Sequence, residues 1–251
     1  MRRSFIMLLL VTGVVYGQGA FPVGSRPQMM WEWATGDAGV DLTVDLAHYW
    51  NPSGTLSADD QVGSLDGTLG GSLTNDAVNG WDMGTTDANF VTLSGPINNG
   101  TNYTIAAWCK PDVTNMDLNV SGGWILSDRT SGMDFQTLYN KADGKYVISV
   151  FYSGVSNIRG IGTNAVHGVW QHVAFVVDSD NDVLSAYFDG KLVSSTAFSR
   201  TPANVNIGTS RIGMMTTSGN QKWHGSLDQV RFYSAAKTAE FIQAIFDQTS
   251  H

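Results

Sequence analysis

Cysteine is almost missing from this chain: Cys109 is the only one, so no internal disulfide can form. It follows Trp108 in an apolar strand pattern, with Lys110 as the one basic neighbour, which predicts a small buried hydrophobe and not a reactive thiol. Charge is also scarce, at 14% of residues against about a quarter in an ordinary soluble domain. Glutamate occurs only as Glu32 and Glu240, neither on a predicted sheet strand, so no strand carries a Glu-x-Asp-x-Glu pattern. Basic residues are outnumbered by 22 acidic to 14, for a formal charge of −8, which disfavours nucleic acid and anionic membranes as partners. No apolar run reaches the ~20 residues that a membrane helix needs. No internal repeat, low-complexity segment or extra domain is visible.

What the chain has instead is turn residues and alternation. In Trp170 to Val177, Trp170, His172, Ala174 and Val176 share one face, while Gln171, Val173, Phe175 and Val177 share the other. That is the strand period of two. Asp178 to Asp182 then offers Asx side chains suited to a turn. After Val183 to Phe188, Asp189-Gly190 is the dipeptide that a type I′ hairpin prefers. A three-stranded meander is predicted. Further strands are expected at Leu42 to Trp50, Phe90 to Leu93, Thr101 to Cys109, Gly123 to Ser127, Asp134 to Tyr139 and Lys145 to Tyr152. The tail changes period: Ala239, Ile242 and Phe246 stand at helical spacing behind Thr238, a fitting N-cap.

The N-terminus reads as an export leader over residues 1–17, with a basic start (Arg2, Arg3), an apolar core Phe5 to Tyr16 and small residues before the cut; an uncleaved anchor is the competing reading. Residues 18–40 form an arm or linker with Met29, Met30, Trp31 and Trp33 clustered near its end, suited to covering a sheet edge or to self-association. The folded domain spans residues 41–251.

Four stretches resemble, in order and spacing, the laminin-G-like, concanavalin-A-like jelly rolls. They are Tyr103 to Trp108 with Lys110-Pro111, Trp170 to Ala174 with Leu184 to Val193, Asn206-Ile207-Gly208 with Arg211-Ile212-Gly213, and Gly225 to Tyr233. Together they cover about residues 45 to 247. The resemblance implies an all-β fold: a two-sheet antiparallel jelly-roll sandwich with a short C-terminal helix. It further implies one structural calcium ion that pins the chain ends together, held by Asp228 of the closing strand with Asp60 and Gly63 of the first loop. The implied ligand is a glycan or a surface protein, and Trp81, Trp124 and Trp223 are the candidate sugar-stacking platforms, although a core position is the commoner outcome for each in a sandwich of this size.

Some relatives hydrolyse glycosides with two carboxylates a fixed distance apart. The two glutamates are misplaced for this, and no Asp-x-Asp pair lies inside a convincing strand. No Gly-x-Ser-x-Gly elbow is present, and the histidines at 48, 167, 172, 224 and 251 are scattered. His172 is expected to be a buried structural histidine with a satisfied hydrogen bond. Asp178, Asp180 and Asp182 imitate the start of a calcium loop, but the sixth position is Val183 and not Gly, so a solvated turn is favoured. Asn99, Asn102 and Asn119 lie in glycosylation sequons. The expected function is a secreted, non-catalytic module that recognises carbohydrate or a protein partner; a coat or scaffold subunit self-associating through its arm is the alternative.

Overall fold

The computed structural model describes residues 39–52, 58–76, 80–84, 89–97, 100–114, 123–127, 134–140, 145–152, 155–197, 210–214, 222–249 and 251. The leader and the Met29–Trp33 cluster lie outside them, as do Asn99, Asn119 and the stretch Asn206 to Gly208. Gly39–His251 is one compact unit.

Strand β1 is Leu46–Trp50, β2 Gly67–Gly70, β3 Thr74–Asp76, β4 Gly80–Asp82 and β5 Phe90–Leu93. Next come β6 at Tyr103–Pro111, β7 at Trp124–Ser127, β8 at Asp134–Asn140, β9 at Lys145–Tyr152 and β10 at Val155–Asn164. The meander is β11 at Gln171–Asp178, β12 at Val183–Phe188 and β13 at Lys191–Ala197. Then β14 is Arg211–Ile212, β15 is Gly225–Tyr233 and helix α1 is Ala239–Gln248. All pairs are antiparallel, in two sheets. One runs β13-β12-β11-β6-β15-β4-β3, with β1 also on β15; the other runs β10-β9-β8-β7-β14-β5-β2. The architecture is the expected two-sheet sandwich with a closing helix.

The main core fills the space between the sheets with, among others, Ile105, Ala107 and Cys109 of β6, Val173, Phe175 and Val177 of β11, and Leu227, Val230 and Phe232 of β15. The other face of the first sheet is covered too. There Ile242 and Ile245 of α1 sit on Ala106, Ala174, Val176, Tyr187 and Tyr233. Because both faces of β6 and β11 are covered, they read as nearly continuous apolar runs instead of alternating ones. Ala106 and Ala174 face each other across the β6–β11 ladder, so two small side chains let the helix approach closely. Thr238 caps α1 by accepting from Phe241 N–H, as its position predicts.

The turns follow their chemistry. Asp189 and Gly190 have φ of 44° and 76°, the two positive values of a type I′ turn. A Cβ at Gly190 would meet only the movable amide end of Gln243, so it is the positive φ that calls for glycine there. In the β11–β12 turn, Asn181 donates from its backbone and its amide to Asp178. Asn102 clamps that turn by donating to Asp180 and accepting from Ser179 N–H, so the amide of this sequon is already in use. The turn reading of Asp178, Asp180 and Asp182 therefore stands.

The opening strand is shorter than its alternation suggests. Residues 42–45 form turns, because the Asp41 carboxylate accepts from both the backbone and the hydroxyl of Thr43 and holds the chain bent until Leu46. Three strands carry no clear sequence signal. β3 and β4 are three residues each, and β10 lies at a sheet edge with Gly160 and Gly162 interrupting its pattern.

Candidate functional site

The tryptophans expected to meet sugar belong to the core. Trp81 of β4 and Trp223 before β15 are 0% exposed, and Trp124 of β7 is 1% exposed. All three sit near strand ends, where sequence alone cannot tell an inward ring from an outward one. Their platform role is corrected here: fully covered rings have no face to stack on a ligand. Trp223 Nε1 donates to Ser226 O at 3.3 Å, a structural bond within the entry to β15.

The expected calcium ligands do not come together as a cation site. The Asp60 carboxylate is ringed by donors: His48 Nδ1 at 2.6 Å and the backbone N–H groups of Tyr49, Val62, Gly63 and Leu65 at 2.9 to 3.2 Å. Burial opposes its ionisation, but the bond from His48 and the amides of Gly63, Tyr49 and Leu65 outweigh it and hold the carboxyl well below the usual carboxylate range. These donors aim hydrogens where a metal needs lone pairs, so the carboxylate organises the loop between β1 and β2 instead. Gly63 contributes its N–H and its lack of a Cβ, which would fall 2.4 Å from His48 Nδ1. Asp228 has other partners, given below, and among the described residues no three His, Cys, Asp or Glu side chains gather as a metal site. The residues present do not fit calcium.

Pinning of the chain ends is achieved by an ammonium group. Lys237, ahead of α1, is 8% exposed, and its Nζ lies 4.3 Å over the Phe241 ring and pairs with Asp45 at 2.9 Å. A shallow groove of about 320 Å³ runs beside it along Val40, Val44 and Phe241. Its cation is already committed, so the groove offers a ligand little to recognise.

The arrangement that can hold a ligand lies on the outer face of the first sheet, beyond the end of α1. Register places His172 of β11 and Asp228 of β15 on either side of Trp108 of β6. His172 is fully buried, against Trp108 at 5.3 Å and Phe246 at 6.1 Å between ring centroids. Burial, with a smaller contribution from Arg231, pulls its pKa down to about 3. The expected burial is right; among the described residues neither ring nitrogen has a protein partner. Trp108 is held rigid, because Phe246 stacks on it at 5.6 Å and its Nε1 donates to Thr249 Oγ1, whose proton goes to Ile245 O.

Asp228 is aimed by a break in its own strand. β15 pairs with β4 through Ser226 and Leu227 and with β1 from Val230 onward. Between them the ladder shifts, and Gln229 takes φ of 50°, a left-handed value that a non-glycine residue adopts at some cost. Asp228 Oδ1 accepts from Gln229 N–H at 2.7 Å, which leaves Oδ2 for another partner. The Gln229 side chain secures the bulge, with Oε1 accepting from Arg231 at 3.0 Å and Nε2 donating to Thr249 O. Gly80 of β4 is required behind it, since a Cβ there would lie 2.4 Å from Leu227 O at φ of +72°.

Trp170, half-buried at the entrance to β11, supplies a flat face beside this carboxylate, and Lys110 Nζ stands 6.0 Å from its ring centre. A ring already occupies the position. The imidazole of His251 stacks on Trp170 at 4.1 Å and 13°, meets Trp108 edge-on at 5.4 Å, and places Nε2 2.5 Å from Asp228 Oδ2. The aromatic face and the carboxylate together can hold a ring that stacks and donates one hydrogen bond. Sequence reasoning named Asp228 for another role and set His251 aside as isolated. Only the face shared by Trp170 and His172 hinted at the site.

An Asp–His pair invites comparison with hydrolytic triads, but among the described residues no nucleophile is placed against it. The hydroxyl of Thr249 is spent between Trp108 and Ile245. Cys109 points into the core, and burial pushes its thiol well up. Glu240 lies on the exposed first turn of α1.

A family model described as the concanavalin A-like lectin/glucanases superfamily matches residues 83–243. Similar solved structures include domain 4 of AbnA, a GH43 extracellular arabinanase from Geobacillus stearothermophilus, in complex with arabinotriose. The identity is 17% and the TM-score 0.63, over 82% of this chain and 98% of that one. The binding domain of botulinum neurotoxin DC in complex with SialylT is similar at 14% identity and a TM-score of 0.63, over 84% of this chain. There the chain spans only 53% of its counterpart's length. No curated protein matches the sequence.

Proposed function

The chain belongs to the concanavalin A-like lectin/glucanase superfamily, and from that premise we propose that it is an exported, non-catalytic module that binds carbohydrate. The observation that carries this reading is the half-buried face of Trp170 and the Oδ2 of Asp228 meeting one ring, that of His251, between them. A pyranose or furanose ring has the same needs, an apolar face to stack and a hydroxyl to donate, and aromatic-plus-carboxylate pairs meet both. The similar domains crystallised with arabinotriose and with SialylT support a saccharide as the ligand class. Export is supported by the leader-like start of the sequence. No helix among the described residues is long and apolar enough to cross a membrane.

The test is binding of the full chain to an array of immobilised oligosaccharides that includes arabinotriose, beside the variants Trp170→Ala and Asp228→Asn. Specific binding by the folded parent, lost in both variants, is expected. Binding that survives both substitutions places the saccharide elsewhere. Silence across the array, from a folded protein, shifts the reading to a protein partner or to self-assembly through residues 18–40.

A further inference from the structure

We infer that His251 is an intramolecular occupant of the Trp170–Asp228 site and that an external saccharide binds by displacing it; this rests on the carbohydrate reading above. The imidazole uses every recognition element of the site at once. It covers the Trp170 face at 4.1 Å and takes up Asp228 Oδ2 at 2.5 Å, with its edge against Trp108. Its side chain is only 10% exposed, although the residue as a whole is open to solvent. A saccharide stacked on Trp170 and donating to the same oxygen cannot coexist with it, since one face and one lone-pair position serve both.

The attachment suits exchange. Helix α1 ends in the cap Thr249, which is fixed to the sheet by Trp108 Nε1 on its hydroxyl and by Gln229 Nε2 on its carbonyl. His251 lies two positions beyond that anchor, so freeing the site leaves the helix, its contacts to Ala106 and Ala174, and the Asp228 bulge undisturbed. The same short tether keeps the imidazole at high effective concentration next to Trp170, so it recloses the site whenever a ligand leaves. Occupancy by His251 lowers apparent affinity by the fraction of time the site is open. A site closed about nine-tenths of the time binds about tenfold more weakly than the open one.

Two readouts on the full chain test this, with neutral pentose and hexose trisaccharides as probes. By calorimetry, His251→Ala is expected to tighten trisaccharide binding about tenfold, and adding Trp170→Ala to that variant is expected to abolish it. By NMR of the parent, the His251 ring protons are expected to carry the upfield shift of a stacked ring and to lose it as the saccharide saturates. Unchanged or weaker binding in His251→Ala, with a parent that still binds through Trp170, overturns the displacement and leaves the carbohydrate reading standing. A saturated parent whose His251 signals stay shifted overturns it equally. Binding by neither parent nor variant overturns both readings.

Discussion

Lys237 Nζ donates to the carbonyl oxygen of Val44 at 2.6 Å, joining residues 193 positions apart in the chain. The contact fastens the segment entering α1 to the turn before β1, and Asp45 completes it at 2.9 Å. A cation supplied by the chain thus ties together segments from near the two ends of the folded unit.

Replacing that ammonium tests the clasp. Lys237→Met keeps the stem over Phe241 but removes a part-buried, charge-assisted bond to the Val44 carbonyl, which costs about 1 kcal/mol because water can reach that oxygen. Urea unfolding should show a lower midpoint at unchanged slope. In the parent, calcium and a chelator should give superimposable curves; a chelator-dependent midpoint would reinstate the metal.

Asp60 predicts an acid dependence with a definite sign. Its folded pKa lies below the ordinary 3.8, so its contribution is fully present above about pH 4 and fades as pH falls through the folded value. Asp60→Asn should therefore be less stable than the parent at pH 7, by about 2 kcal/mol, because one amide cannot satisfy the same set of donors. The gap should shrink on acidification below pH 4. A gap constant from pH 7 to pH 2 would show that the carboxylate's charge is not what matters.

His172 acts on a different limb. Its folded pKa of about 3 lies below the ordinary 6.5, so between those values the unfolded chain binds the extra proton. Stability is lost as pH falls from 6.5, at up to about 1.4 kcal/mol per unit. His172→Leu removes the titrating ring while leaving an apolar side chain in its buried place. It should flatten stability between pH 6 and 4; an unaltered slope there would assign the acid sensitivity to other groups.

Core and site tryptophans should separate cleanly. Trp124→Ala removes a ring that is 1% exposed and should cost about 3–5 kcal/mol. Trp170→Ala should shift the thermal midpoint far less, while eliminating saccharide binding. The reverse ranking in a paired melt and binding assay would exchange their roles.

Local chemistry was legible where it acts over a few residues. The β5 bounds, the three-stranded meander, the positive-φ Asp189-Gly190 turn and the Thr238 cap all follow from period and side-chain type, which need no distant partner. β10 escaped because its glycines break the alternation and its pairing comes from β9. Trp81, Trp124 and Trp223 stayed open between core and platform because a ring at a strand end can face either layer, and only the packed sandwich turns all three inward.

The sequence by itself determined strands, turns and a closing helix, since alternation, turn residues and a cap are short-range properties of the chain; the two-sheet sandwich was implied by the resemblance of four stretches to the concanavalin-A-like jelly rolls. Only the tertiary structure decided which polar groups meet. Asp60 became a loop anchor because β1 brings the Tyr49 amide and His48 to it, and Lys237 became the clasp because α1 returns to Val44. Asp228, Trp170 and His251 became one site because β15, β11 and the end of α1 converge on Trp108. Such meetings depend on strand order and register, which pair residues far apart in the chain and leave no periodic trace in it.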